Sequence, residues 1–152
     1  MSIDLSSTLR ITEIFYSIQG ESRTVGLPTV FVRLTGCPLR CQYCDTAYAF
    51  TGGELQTLEH ILADVAQYAP RYICVTGGEP LAQPNCLPLL NALCNSGYQV
   101  SLETSGALDV SGVDPRVSKV IDLKTPGSGE VSRNLYSNMQ MLGAGDQVKF
   151  VL

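Results

Sequence analysis

Three of the six cysteines fall within eight residues, in the run Cys37-Pro-Leu-Arg-Cys41-Gln-Tyr-Cys44. The spacing CxxxCxxC lets successive thiolates wrap around one inorganic centre, and soft sulfur ligands favour zinc or an iron–sulfur cluster. A closed structural zinc site or an electron-transfer cluster needs a fourth ligand. His60 is the single histidine, and it falls on a predicted helix. The loop therefore predicts an iron with one open coordination position.

A zinc knuckle completed by a distant cysteine is the alternative on spacing alone. The remaining cysteines are scattered through apolar stretches of the chain: Cys74, Cys86 and Cys94. A free cysteine behaves there as a small apolar residue, and burial makes it inert. We therefore predict that these three cysteines pack in the core.

Three further motifs share one feature, because each follows a predicted strand at its carboxyl end. Residues 76–80 (TGGEP) carry paired glycines, which let the backbone approach a ligand closely. Residues 103–106 (ETSG) end the next strand, and residues 122–124 (DLK) end the one after. In α/β folds the carboxyl ends of the strands form the rim where active sites assemble. The motifs predict a polar, ligand-binding rim.

The elements that must position these motifs follow from hydrophobic periodicity. Residues 57–68 place their apolar side chains on one helical face, with Thr57 as the N-cap, and Gly97 closes a second helix. Strands separated by helices imply βαβ units and a parallel sheet, so we predict an α/β fold. The predicted strands are 9–18, 29–34, 72–75, 98–102, 117–123 and 147–152, and the predicted helices are 57–68, 87–96 and 131–142.

Length and composition limit the domain count and the partners. The chain has 152 residues, is 45% hydrophobic and carries a net charge of −4, so we expect one domain over residues 1–152. It has neither a basic run nor an apolar stretch of about 18 residues, so we expect no nucleic-acid or membrane partner. The N-terminus lacks the features of a secretory signal, which favours a cytoplasmic location. Because the chain stops on the apolar run 148–152, we expect a missing C-terminal piece or a second chain to cover that edge.

The cysteine loop, placed after an apolar strand, resembles that of the radical S-adenosylmethionine (SAM) superfamily, and the aromatic Tyr43 fits the same pattern. The resemblance implies a partial parallel (β/α) barrel, shortened at its C-terminus. It also implies two cofactors, a 4Fe–4S cluster on Cys37, Cys41 and Cys44 and a SAM molecule at the open iron. In this superfamily the GGEP segment binds the amino group of SAM. The contacts implied for SAM are Tyr43, Cys44, Asp45, Gly78, Glu79, Glu103, Asp122, Leu123 and Lys124.

Residues 13–21 (EIFYSIQGE), with Arg33 and residues 44–46 (CDT), closely resemble the family of 7-carboxy-7-deazaguanine synthases. Ser22 stands where that family often has a second glycine. The resemblance implies ring contraction of 6-carboxy-5,6,7,8-tetrahydropterin to 7-carboxy-7-deazaguanine with loss of ammonia, in the queuosine pathway. A 5′-deoxyadenosyl radical from SAM starts this reaction and SAM is regenerated, so no protein side chain is expected to be the catalyst.

The same resemblance implies what the remaining site residues bind and which proteins this protein interacts with. Arg33 can pair bidentately with the substrate carboxylate, and Thr46 would bind Mg²⁺, a hard cation that prefers oxygen. The residues implied to bind substrate are Ile18, Gln19, Gly20, Glu21, Arg33 and Thr76. The partners implied are a reductant such as flavodoxin and a second copy in a homodimer. Structural readings stay open for three positions: a plain turn at Gln19, a strand-edge charge at Arg33 and a helix cap at Thr46.

Two other functions remain compatible with the motifs. A different short radical SAM enzyme, such as a glycyl-radical activase, would keep the cluster and lose the pterin. Such activases act on a large protein partner, whereas the residues 17–21 and Arg33 favour a small carboxylated substrate. A non-catalytic metal-binding module is the more distant alternative.

Overall fold

The computed structural model describes residues 2–36, 52–124, 128 and 135–150, and a sheet of seven strands runs through them. The strands are β1 (Thr8–Ile18), β2 (Pro28–Leu34), β3 (Glu54–Thr57), β4 (Tyr72–Gly77), β5 (Gln99–Thr104), β6 (Ser118–Asp122) and β7 (Gln147–Lys149). Their order across the sheet is β3-β1-β2-β4-β5-β6-β7.

The prediction of a parallel sheet is confirmed for β2, β4, β5, β6 and β7 and is wrong for the other edge. There β1 runs antiparallel to β2, and β3 runs antiparallel to β1. The reason is the short connection over residues 19–27, since a parallel pair needs a crossover of about a dozen residues or more. β3 lies outside every predicted strand because its four residues carry no buried apolar pattern. The hairpin brings the loop 19–27 to the amino ends of the parallel strands.

Two α-helices cover one face of the sheet. Helix α1 (Leu58–Ala66) begins where predicted, and the Thr57 side chain accepts a hydrogen bond from the His60 backbone N–H at 3.1 Å. Helix α2 (Cys86–Asn95) ends before Gly97, whose φ of +91° suits glycine. The predicted N-cap Thr57 and terminator Gly97 are therefore confirmed, whereas α1 ends two residues before the predicted 68 and α2 lies one residue earlier than the predicted 87–96.

The alternation of strand residues separates a core face from a polar face. Apolar side chains of β2, β4 and β5 join those of the two helices in one buried cluster, which includes Val32, Leu34, Val75 and Leu102. Residues between them point to the opposite face because successive side chains of a strand alternate. That face receives the candidate site residues Arg33, Thr76 and Glu103. It also receives Cys74, which is buried as predicted but lies outside the apolar cluster, against Glu103.

The last predicted elements differ from the structure. A 3₁₀ helix (Tyr136–Met141) stands within the predicted α-helix 131–142, of which residues 131–134 lie outside the described residues. The buried Asn138 carboxamide bonds the backbone of residues 106–110 and so fixes this 3₁₀ helix against the segment that follows β5. β7 ends at Lys149 and its Val148 is exposed; of the predicted strand 147–152, residues 151–152 lie outside the described residues. Among the described helices, none is long and apolar enough to cross a bilayer.

Candidate active site

The carboxyl ends of β4, β5 and β6 form the rim that the motifs predict. Gly77 ends β4 with a φ of +152°, and a Cβ at this position would lie 2.3 Å from the carbonyl oxygen of Leu34 in β2. Only glycine lets the two strands approach this closely. The residues that follow, Gly78 and Glu79, therefore start directly beside the end of β2.

Glu79 lies beneath the rim and is fully buried. Its Oε1 accepts hydrogen bonds from Thr104 Oγ1, Ser105 N and Ser105 Oγ, each at 2.7 Å. Its Oε2 accepts one from Leu81 N at 2.9 Å. The carboxylate thus ties the loop after β4 to the end of β5, with four protein donors on its two oxygens.

Asp122 and Lys124 stand together at the end of β6. Lys124 Nζ donates to Asp122 Oδ2 at 2.8 Å, and both side chains are largely buried. Asp122 Oδ1 is also buried, and within the described residues it has no hydrogen-bond partner. An unsatisfied buried acceptor is costly. This oxygen therefore fits a ligand that brings a hydroxyl or ammonium donor, as SAM does.

A cluster of Glu21, Cys74, Glu103 and Lys149, here called the Glu103 cluster, occupies the polar face. Lys149 Nζ lies 2.6 Å from Glu21 Oε1 and 3.5 Å from Glu103 Oε1. Cys74 Sγ donates to Glu103 Oε2 at 3.4 Å. The single ammonium group of Lys149 therefore contacts the carboxyl groups of both Glu21 and Glu103. Its one positive charge can balance only one of them when both are ionised.

The pKa values of the Glu103 cluster follow from this imbalance. Burial, followed by the hydrogen bond to Glu21, raises the pKa of Glu103 to about 7, although the charge of Lys149 lowers it. The hydrogen bond from Glu103 is also the main cause of the lowered pKa of Glu21. Burial opposes the charge on Lys149, but Glu103 and Glu21 outweigh it, so the pKa of Lys149 is raised. Glu103 can thus donate a hydrogen bond near neutral pH, while Glu21 accepts one.

Arg33 and Thr76 are neighbours on the same face, since β2 and β4 pair them in register. Arg33 Nε donates to Glu13 Oε1 at 2.9 Å, and the guanidinium carbon lies 5.9 Å from the centre of the Phe15 ring. Thr76 is buried beside it. The pair of Glu13 and Phe15 holds the guanidinium at the polar face, where it could bind an anionic group.

The loop of residues 19–27 brings Gln19 inward and leaves Ile18 outside. Gln19 is buried, and its backbone bonds to Leu27 and Gly26 at 3.0 and 2.8 Å. Its carboxamide also accepts a hydrogen bond from Glu21 N at 3.4 Å. The Ile18 side chain is 57% exposed. The structure therefore brings Gln19 and Glu21 to the polar face, but not the side chain of Ile18.

The proposed cluster ligands and their neighbours lie outside the described residues: Cys37, Cys41, Tyr43, Cys44, Asp45 and Thr46. In the described part of the chain, no group of three or more His, Cys, Asp or Glu side chains could hold a metal ion. Burial raises the pKa values of the Cys74 and Cys86 thiols, which opposes their use as thiolate ligands. The three cysteines of the loop remain the predicted donor set, and the chemistry of three thiolates fits an iron–sulfur cluster.

Three residues near the site were not predicted from the sequence as site residues. Lys149 lies within the apolar run 148–152. Its charge, isolated among apolar residues, is the one sequence signal that could have placed it on a polar face. Cys74 looks like any core cysteine, because its partner Glu103 is distant in sequence. Gln83 follows the GGEP motif without a recognisable pattern, yet its carboxamide bonds to Arg10 and Thr35.

Comparison with known proteins identifies the class to which this rim belongs. The sequence model of the radical SAM superfamily matches residues 31–124, which include the end of β2 and the three rim motifs. The structure of QueE from Escherichia coli superposes with a TM-score of 0.78 at 26% identity, covering 94% of this chain and 71% of that one. The predicted α/β fold, a partial (β/α) barrel of the radical SAM type, is confirmed.

Curated relatives narrow the class to one family. The 7-carboxy-7-deazaguanine synthase of Koribacter versatilis is 44% identical over 95% of this chain and 65% of its own length. The one from Chlorobaculum tepidum is 48% identical over 88% and 60%, and the one from Thermoplasma acidophilum is 37% identical over 93% and 69%. The chain belongs to the 7-carboxy-7-deazaguanine synthase family of the radical SAM superfamily. Membership confirms the prediction of a 4Fe–4S cluster and SAM as cofactors. The chain spans less than two thirds of the length of the first two relatives.

Proposed function

We propose that this chain carries the radical SAM core of an enzyme that contracts 6-carboxy-5,6,7,8-tetrahydropterin to 7-carboxy-7-deazaguanine with loss of ammonia. The family relatives and the E. coli structure support this reaction. The observation that carries it combines two features: Asp122 Oδ1 at the rim is a buried acceptor with no partner among the described residues, and Arg33, Glu21 and Glu103 lie on the adjoining polar face. The first suits SAM and the others suit a carboxylated, nitrogen-rich ring.

The cofactor side of the site is proposed from the rim. Cys37, Cys41 and Cys44 hold the cluster, which together with bound SAM supplies a 5′-deoxyadenosyl radical when reduced. Asp122 accepts a hydrogen bond from SAM, and Lys124 holds the Asp122 carboxylate in place. The loop after β4 presents its backbone to the amino acid part of SAM. The remaining proposed contacts to SAM are Tyr43, Asp45, Gly78, Glu79, Glu103 and Leu123.

The substrate side is proposed from the polar face. Arg33 binds the carboxylate, and its Glu13 partner keeps the guanidinium fixed before substrate arrives. Glu21 accepts a hydrogen bond from an N–H group of the pterin ring, and Glu103, with a proton available near pH 7, donates one to an acceptor atom of the ring. Thr76, Gln19 and Gly20 line the same space, and for Ile18 the proposal rests only on its place beside Gln19. Thr46 binds Mg²⁺ next to the substrate.

The domain organisation, the electron donor, the oligomeric state and the location belong to the same proposal. Residues 1–152 form one radical SAM core domain, since the seven strands of the described residues share a single sheet. A flavodoxin-like protein supplies the electron, and the protein acts as a homodimer. A cytoplasmic location is supported by the unpaired cysteines Cys74, Cys86 and Cys94, because such thiols persist in reducing compartments.

Anaerobic turnover tests the proposed reaction. The protein is reconstituted with iron and sulfide, reduced with dithionite, and incubated with SAM, Mg²⁺ and carboxytetrahydropterin, and the product is measured by liquid chromatography with mass spectrometry. We expect 7-carboxy-7-deazaguanine from the wild-type chain and none from Cys41→Ala. SAM cleavage without this product would refute the assigned substrate and leave the superfamily intact.

A further inference from the structure

The residues that lead into the cysteine segment are fastened to the loop that follows β4. Gly78 N donates to the carbonyl oxygen of Leu34 at 3.4 Å, and Glu79 N donates to that of Gly36 at 2.7 Å. Gly36 directly precedes Cys37 in the sequence. The backbone of the GGEP motif therefore fixes Gly36, the last described residue before the cysteine segment.

The side chain of Gln83 completes this attachment. Its Nε2 donates to the carbonyl oxygen of Thr35 at 3.0 Å and to that of Arg10 at 2.9 Å. Its Oε1 accepts from Arg10 N at 2.9 Å, which fixes the orientation of the carboxamide because a backbone N–H can only donate. Both N–H groups of the carboxamide are thus aimed at carbonyl oxygens, one of them on the lead-in residue between Leu34 and Gly36.

The chain returns from the cysteine segment to the same place. Arg10 Nη1 donates to the carbonyl oxygens of Gly52 and Gly53 at 3.4 and 3.3 Å. A Cβ at Gly53 would lie 2.1 Å from Thr35 Oγ1, so this glycine packs directly against the lead-in. The two ends of the segment 37–51 therefore meet at Thr35 and Arg10, and Gln83 bonds to both of these residues.

We propose that Gln83 is a positioning residue for the cluster. Its carboxamide holds the entry and, through Arg10, the exit of the cysteine segment against the GGEP loop. This inference rests on the proposed function in one respect, that Cys37, Cys41 and Cys44 hold the cluster. Its consequence is that the cluster and the loop proposed to bind the amino acid part of SAM keep one fixed relative placement, which a ligand bridging both requires.

Asn85 provides a matched control from the same loop. Its Nδ2 donates to the carbonyl oxygen of Thr8 at 2.8 Å, so it also ties the loop to β1 by a side-chain amide. Thr8 lies at the start of β1, away from the residues that flank the cysteine segment. Changing either amide to a carboxylate removes a donor from this loop, but only the change at Gln83 affects the entry to the cysteine segment.

The experiment compares Gln83→Glu and Asn85→Asp with the wild type after anaerobic reconstitution with iron and sulfide. Release of iron to a ferrous chelator gives the lability of the cluster, and EPR of the reduced cluster with and without SAM gives its geometry. Gln83→Glu removes both hydrogen bonds that Nε2 donates. We expect it to release iron about fivefold faster or more, because the loss of even one ordinary hydrogen bond corresponds to about this factor. We also expect its SAM-induced spectral change to be weakened. Asn85→Asp should match the wild type in both.

Each outcome decides the matter. Wild-type release rates and spectra in Gln83→Glu would overturn the proposal, as would equal acceleration in the Asn85→Asp control, which would indicate general destabilisation. If Gln83→Glu does not fold, Gln83→Met carries the same expectation without introducing a charge. A wild-type chain that assembles no 4Fe–4S cluster would instead refute the assignment of the cysteines, and thus the proposed function itself.

Discussion

Replacing Glu79 by glutamine tests whether its buried carboxylate joins the GGEP loop to β5. The amide keeps the size of the side chain and removes its charge. In the wild type, Oε1 accepts from three donors at 2.7 Å and Oε2 accepts from Leu81 N at 2.9 Å. In Glu79→Gln an amide N–H must face at least one of these donors, because the site offers donors to both oxygens.

The size of the effect follows from this count. Where the amide N–H faces one of these donors, a buried hydrogen bond is lost, which costs about 1–3 kcal/mol in the free energy of unfolding. The other bonds fall from charge-assisted to neutral strength, which halves them approximately. Removing a buried charge returns part of this loss, because an amide costs less to desolvate than a carboxylate. We expect a net loss of about 3 kcal/mol in the free energy of unfolding, which lowers the melting temperature of a chain this long by roughly 10 °C.

Urea denaturation followed by far-ultraviolet circular dichroism measures this loss. The control is Glu54→Gln, the same chemical change at an exposed position on β3, which should alter the free energy of unfolding by less than about 0.5 kcal/mol. A loss below about 1 kcal/mol in Glu79→Gln, or equal losses in both variants, would show that the carboxylate does not hold the two loops together.

Two further predictions concern the polar face and the close approach of β4 to β2. The folded Glu103 carboxyl keeps its proton up to about pH 7, whereas the ordinary pKa is 4.5. As the pH rises, the unfolded chain therefore releases this proton first, and the contribution of Glu103 to the free energy of unfolding falls between pH 4.5 and about 7. We expect Glu103→Gln to flatten this part of a plot of the urea midpoint against pH. An unchanged plot would contradict the raised pKa. Gly77→Ala places a Cβ 2.3 Å from the Leu34 carbonyl oxygen, so we expect a loss of about 2 kcal/mol or more in the free energy of unfolding. Gly26→Ala is its control, since it also has a positive φ but nothing within 4 Å, and equal losses in the two variants would exclude the clash as the cause.

The rim was predictable because its signals are local. Each motif follows an apolar strand, and the right-handed βαβ rule brings the carboxyl ends of such strands to one edge. The N-cap Thr57 and the terminator Gly97 are local signals too, and the structure bears out both. The cofactors were predicted from the resemblance of the motifs to the radical SAM superfamily, because three cysteines alone indicate only a soft-metal site.

The remaining features depend on contacts between distant residues. The antiparallel edge arises from a short hairpin and a four-residue strand whose side chains are not buried in an apolar pattern. Lys149 and Glu103 lie far apart in sequence, so neither their contact nor the raised pKa of Glu103 could be read from the residues alone. Likewise, Gln83 gains its position from Arg10 and Thr35, which belong to two other strand ends.

The proposed site requires that Cys37, Cys41 and Cys44 hold a 4Fe–4S cluster with one iron open to SAM. EPR spectroscopy of the reduced, reconstituted protein measures this, because SAM bound at an iron changes the spectrum of the cluster. We expect a 4Fe–4S signal that shifts when SAM is added, and no such signal in Cys41→Ala. A cluster signal that SAM leaves unchanged would contradict the open iron and return the three cysteines to a structural or electron-transfer role.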